Sequence, residues 1–216
     1  MYQYAMINNA GTPTSGYLTT NISNVFLPSA LLILIVFYSI YFIKMFAQKI
    51  QGIQTYQLGQ RCEKSIRNTE ILLKLSTGMI IPVQICSILF NCSTLPALAR
   101  ITGIFIGAAG DFIFLIAILT MKNSWRAGIP KKDKTELISH GIYKYSRNPA
   151  FLGFDFMYIG ILLLYLNLVL LILTLLTILT LHLQILQEEK YLENIFGEQY
   201  ITYKKCTHRY FGKNII

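Results

Sequence analysis

The sequence predicts an all-α, polytopic membrane protein with five transmembrane helices. The last two are expected to form a tight helical hairpin, followed by a cytoplasmic C-terminal amphipathic helix. Three observations carry that expectation. Of 216 residues, 54% are hydrophobic and only 13% charged, about half the charged fraction of an ordinary soluble domain. The apolar residues gather into runs long enough to cross ~30 Å of hydrocarbon. The basic residues stand beside those runs and not on a polar domain, so the net charge of +9 reads as juxtamembrane Lys and Arg facing anionic lipid. No nucleic-acid partner is expected.

Residues 1–24 contain no Lys, Arg, Asp or Glu and are rich in Asn, Thr, Gly and Ser, which predicts a loosely ordered polar tail. They lack the positive start and small-residue cleavage site of a signal peptide. The uncharged run 25–43 predicts the first span, and Lys44 and Lys49 follow it. The second span is expected over 71–92, with Lys74 snorkelling to the headgroups and Pro82 kinking the helix. The third is expected over 101–121. There Gly103 and Gly107 share one face with Asp111, and glycines so spaced permit close helix–helix approach.

The run 150–186 has 37 residues; as one helix it would measure about 55 Å, nearly twice the hydrocarbon thickness. It is expected to turn at Asn167, giving spans over 150–166 and 168–187. The chain then divides into a polar tail (1–24), a scaffold of two spans (25–100) and a core (101–216). The cysteines Cys62, Cys86, Cys92 and Cys206 form no metal-ligand spacing, and no metal is predicted. Cys86 and Cys92 flank one membrane exit, so a disulfide between them stays open.

Charge fixes the expected topology. With both basic connectors and the C-terminal tail on one side, 18 of the 19 basic residues share that side and only Arg100 lies opposite. The positive-inside rule makes that side cytoplasmic and puts the N-terminus outside.

Two stretches carry chemistry. Residues 137–153, LISHGIYKYSRNPAFLG, join a basic connector to an apolar run. Pro149 suits the first turn of a helix, where its missing N–H has no intrahelical partner, and Arg147 is expected at the interface, free to hold an anion. The second stretch begins with Glu188 and Glu189 at the expected end of the last span. Glu is a poor choice there, since a helix C-terminus already carries partial negative charge. Leu192, Phe196, Gly197, Tyr200 and Tyr203 follow. Leu192, Ile195, Phe196 and Tyr203 give a helical apolar stripe that is expected to pack back onto the site.

Gly141, Tyr143, Arg147-Asn148-Pro149, Phe151 and Gly153, then Glu188-Glu189, Leu192, Phe196-Gly197, Tyr200 and Tyr203, closely resemble the motifs of the isoprenylcysteine carboxyl methyltransferase family. These are integral-membrane enzymes, and the likeness is to prokaryotic-type members. Trp125-Arg126-Ala127-Gly128 resembles the segment that precedes the first motif in bacterial relatives, and the resemblance covers roughly residues 100–210. It implies a methyltransferase that uses S-adenosylmethionine on a lipophilic small-molecule or lipid-modified substrate drawn from the membrane. The implied cofactor contacts are Thr135, Glu136, Leu137, Ile138, Tyr143, Arg147, Asn148, Pro149, Ala150, Phe151 and Glu188. The implied substrate contacts are Gln184 and His182. Methyl transfer rests on positioning and desolvation, so no catalytic residue is assigned; Arg147 is the best candidate.

Two positions depart from the family. Asn148 stands where a His is frequent, and Gln184 stands where eukaryotic members place a substrate-binding Arg. With no compensating cation nearby in sequence, the neutral amide predicts an acceptor such as a thiol, a phenol or a lipid amine. Asp111, Asp155 and His182 are ionisable groups inside spans and so further candidates. The rival readings are a sterol or lipid reductase using a nicotinamide cofactor, a phospholipid N-methyltransferase, and a non-catalytic protein that kept the fold. The expected location is a bacterial inner membrane, or the endoplasmic reticulum of a eukaryote.

Overall fold

A computed structural model describes residues 16–56, 58, 64–128 and 136–212. Six helices are described: α1 (Gly16–Ile50), α2 (Lys64–Leu89), α3 (Ala97–Met121), α4 (Pro149–Leu164), α5 (Leu168–Phe196) and α6 (Glu198–Cys206). No strand occurs among the described residues; one isolated bridge joins Tyr56 to Ala127. The expected tail reaches only partly into the description, since residues 1–15 lie outside it and α1 begins at Gly16. Helix α1 runs past the predicted span 25–43 at both ends, whereas α2, predicted over 71–92, starts earlier at Lys64 and stops short at Leu89.

Four stretches are long and apolar enough to cross a membrane: 25–50, 66–89, 97–124 and 168–196. Helix α4 is also apolar but has 16 residues, a rise of about 24 Å. The chain does break at the expected place. Asn167 N-caps α5, its side chain accepting from the Leu170 N–H at 3.0 Å. Its amide also donates to the Ser87 hydroxyl at 2.9 Å.

Glycine decides how α3 meets α4. A Cβ added at Gly160 would lie 2.5 Å from the Gly107 Cα, and one at Gly110 2.6 Å from the Met157 nitrogen. The two backbones therefore touch along Gly103, Gly107 and Gly110 on one helix and Gly153 and Gly160 on the other, which maximises dispersion contact where lipid offers no hydrophobic drive. Helix α1 closes this pair with Phe37, whose ring stacks on Phe114 at 4.5 Å and meets Phe154 edge-on at 4.7 Å. Helices α2 and α5 are pinned by polar side chains: the Ser76 and Thr180 hydroxyls are 2.9 Å apart, and Gln187 donates to Thr69 at 2.7 Å.

The connectors sort to two ends. At one end Gln48 donates to the Trp125 carbonyl, Ala127 N–H to Thr55 O, and Arg147 N–H to His208 O. The first and third connectors and the C-terminal segment therefore meet there. At the other end Thr94 N–H donates to Leu166 O, and Arg100 lies over the Phe26 and Tyr165 rings. Cys86 and Cys92 are free thiols.

Candidate functional site

The first stretch folds as its residues dictate. Gly141, at φ +60°, opens a 3-10 turn over Gly141–Lys144, a backbone angle that glycine adopts without strain. That turn buries Tyr143, and Pro149 takes the first turn of α4 as predicted. Asn148 precedes α4 without a side-chain cap, and its amide nitrogen reaches two other partners. It donates to Glu189 Oε1 at 3.1 Å and to the Arg209 carbonyl at 3.2 Å.

The second stretch departs from expectation. Helix α5 does not end at the glutamate pair; it continues to Phe196 and stops at Gly197, at φ +51°. The two carboxylates therefore sit inside a helix, about 100° apart around its axis, and they face different surroundings. Glu189 turns into the protein and is 3% exposed. Its Oε1 accepts from Arg147 Nε and Nη2 at 3.1 and 2.9 Å, its Oε2 from Arg209 Nε and Nη2 at 3.1 and 2.9 Å. Five N–H donors on one buried carboxylate, with two guanidinium charges, keep it ionised. Arg209 rises above its usual pKa through its hydrogen bonds to Glu189.

Arg147 is correspondingly committed. Besides Glu189 it donates from Nη1 to the carbonyls of Lys204 and Thr207, at 3.1 and 2.8 Å. Of its five N–H groups, one on Nη2 is left for an external anion. It ties α4, α5 and the segment after α6 together, which corrects the expectation of an unencumbered interfacial arginine.

Glu188 faces the other way and accepts one bond, from Gln184 Nε2 at 3.0 Å. It lies on the wall between two cavities. The smaller, about 110 Å³, is lined by Glu136, Leu137, Ile138, Tyr143, Arg147, Asn148, Ala150, Phe151 and Glu188, with Leu192, Tyr200 and Tyr203 closing it. Nine of the eleven cofactor residues implied by the sequence thus share one cavity. Pro149 is buried beside them without lining it, and Thr135 lies outside the described residues. Of the C-terminal stripe, Leu192 and Tyr203 take part while Ile195 stays 57% exposed.

The tyrosines here are neutral phenols. Burial pushes Tyr143, Tyr200 and Tyr203 well above their ordinary pKa. Tyr203 donates its proton to the Tyr143 carbonyl at 2.7 Å, whereas the buried Tyr200 hydroxyl has no partner.

The larger cavity, about 330 Å³, is chiefly apolar and aromatic. Tyr38, Tyr41 and Phe42 of α1, Leu73 and Ile81 of α2, Phe154 and Tyr158 of α4 and Leu181 of α5 line it. Gln184 lines it as expected; His182 does not, and instead bonds through Nδ1 to the Tyr210 hydroxyl. The cavity is not cation-free as the sequence suggested, because Lys74 and Arg126 belong to its wall. Trp125, Arg126, Ala150, Phe151 and Glu188 line both cavities. Asp111 and Asp155 are buried with one oxygen each unpartnered, and neither lines a cavity. Asp155 is therefore held within the helix bundle.

Glu189, Leu192, Tyr200, Tyr203 and Trp125 were recognisable from the motifs but not as contacts. Lys74 gave no signal beyond an apolar neighbourhood.

The comparisons with known proteins bear on this half of the chain. The phospholipid methyltransferase family matches residues 98–199, which contain α3, α4, α5 and both glutamates. A curated relative from Saccharomyces cerevisiae, protein-S-isoprenylcysteine O-methyltransferase, is 32% identical over 119 residues, covering 54% of this chain and 50% of the relative. The chain thus spans about half the length of the curated relative it matches. Over the region that builds most of both cavities, the chain is similar to the phospholipid methyltransferase family and to a protein-S-isoprenylcysteine O-methyltransferase.

Proposed function

We propose that the protein is an integral-membrane methyltransferase that moves a methyl group from S-adenosylmethionine to a lipophilic acceptor. The observation that carries this reading is the shared wall. A cavity at the basic end that carries Glu136, Arg147 and Asn148 and a chiefly apolar cavity between the helices have Trp125, Arg126, Ala150, Phe151 and Glu188 in common. Two substrates of opposite polarity would meet there, which is what a methyl transfer between a charged donor and a lipid requires.

The residues fit the donor's chemistry. Glu188 has acceptor capacity for an ammonium or ribose hydroxyl, and Arg147 keeps one N–H for a carboxylate. Tyr200 has a buried hydroxyl with no partner, and Leu137, Ile138, Phe151 and Leu192 offer apolar walls to a purine. When bound, S-adenosylmethionine supplies a methyl carbon activated by its sulfonium. The chain's part is to hold that carbon at the shared wall, keep water out with its aromatic side chains, and stabilise no separate charge. Positioning and desolvation suffice for such a displacement.

Five membrane passes, with α4 as the short fourth, belong to the same reading, with the basic end cytoplasmic and the N-terminus outside. The grouping of the connectors at one end supports it. Equilibrium binding of labelled S-adenosylmethionine and of NADPH to the purified protein tests the function. The reading requires saturable binding of the first and none of the second; the reverse result would make the protein a reductase.

A further inference from the structure

We propose that Lys74 grips the anionic end of the acceptor, an amphiphile whose tail fills the larger cavity. This rests on the methyltransferase reading and names the chemistry of its second substrate.

The register of α2 against α5 supplies the argument. The Gln187–Thr69 and Ser76–Thr180 contacts show the two helices antiparallel and fix their offset. By that offset Lys74 stands level with residue 182, within one turn of Gln184. Both Lys74 and Gln184 line the larger cavity, with Glu188 one turn farther along. A cation absent from position 184 of α5 is thus delivered by the facing helix at about the same depth.

The surroundings of Lys74 suit this role. Its ammonium lies 5.7 Å from the centre of the Tyr56 ring, a contact that holds the charge at the cavity edge without neutralising it. Among the described residues it makes no ion pair within 4.0 Å. Arg126 and Glu188 line the cavity too, while Glu70, buried one turn before Lys74 on α2, does not. An ammonium without an ion pair at the cavity edge favours a carboxylate or a phosphodiester over an acceptor whose only polar group is itself an ammonium. Gln184 is no substitute for a cation: its amide is neutral, and one of its two N–H groups already donates to Glu188.

Gly78, one turn along α2 from Lys74, also lines the cavity, and a Cβ there would meet nothing within 4 Å. The wall is open beside the lysine, so an acceptor can lie with its tail inward and its anion at Lys74. In the carboxylate case the acceptor oxygen forms the new bond to the methyl carbon as the carbon–sulfur bond breaks. The negative oxygen and the positive sulfur both end neutral, and no proton moves.

The test measures acceptor binding, which does not depend on turnover. Purified protein is titrated with an S-farnesylcysteine analogue bearing a free carboxylate and with its carboxamide, while phosphatidylethanolamine vesicles serve as the phosphodiester arm. Wild type is expected to bind the carboxylate roughly tenfold more tightly than the carboxamide, or to prefer the phospholipid over both. Lys74→Gln should erase the preference and Lys74→Arg should keep it. No preference in wild type, or a preference that survives Lys74→Gln, overturns the proposal. Separate titration with S-adenosylmethionine shows whether the methyltransferase reading itself has failed.

Discussion

Arg147 and Glu189, 42 residues apart in sequence, meet in a buried ion pair at 2.9 Å with side chains 8% and 4% exposed. Removing one partner of such a pair strands the other charge in a poorly solvated place, which costs about 3–5 kcal/mol. Glu189→Ala would strand two guanidinium groups and should lower the thermal unfolding midpoint in detergent by many degrees. Glu188→Ala breaks one hydrogen bond and should leave the midpoint nearly unchanged. Equal midpoints for the two variants would mean that Glu189 does not organise the site.

Arg147→Ala is expected to lose stability as well as affinity for the methyl donor, since its guanidinium also ties down the carbonyls of Lys204 and Thr207. Limited proteolysis beside donor titration separates the two effects. The expected outcome is faster cleavage around residues 204–212 together with weaker binding. Weakened binding with unaltered cleavage would return Arg147 to the role of a simple anion ligand.

How much of this was legible in the sequence differs from element to element. The α3–α4 contact was half visible, because Gly103 and Gly107 fall on one helix face. Their partners Gly153 and Gly160 could be matched to them only once the two helices were docked. The cofactor-type residues gather as the motifs imply, since most sit within one short connector and helix start. The choice between Glu188 and Glu189 was not legible. Adjacent residues on a helix point to different sides, and which side is inward depends on where the helix ends. Local sequence placed that end about two turns too early. Lys74 was invisible as a ligand for a similar reason: its position beside Gln184 follows from the α2–α5 register, which three hydroxyls and an amide set.

The glycine contact gives a third expectation. Gly160→Leu drives a side chain into the Gly107 backbone, where even a Cβ lies at 2.5 Å, and should cost on the order of 1–3 kcal/mol or more. Gly78→Ala, on an open face, should be neutral or slightly stabilising, because alanine favours helix by up to about 1 kcal/mol. Unfolding curves of both variants check this, and a stable Gly160→Leu protein would deny the close approach.

Topology can be read by cysteine labelling in intact cells after the native thiols are removed. A cysteine at Asn167 should react with an impermeant reagent from outside, and one at Lys205 only after lysis. Labelling of position 205 from outside would reverse the proposed orientation.

Glu188 lines both cavities and is the residue that would touch the donor while facing the acceptor. Loss of a charge-assisted hydrogen bond costs about 1.5–3 kcal/mol, roughly tenfold to more than a hundredfold in affinity. The most direct measurement is transfer of a labelled methyl group from S-adenosylmethionine by purified protein in lipid, offered an S-farnesylcysteine analogue and a total lipid extract. Wild type should label a lipophilic product, and Glu188→Ala, still folded, should label at least tenfold less at limiting donor. A wild-type protein that binds both substrates yet labels nothing, or a Glu188→Ala variant as active as wild type, would contradict the claim that the two cavities meet at this carboxylate to exchange a methyl group.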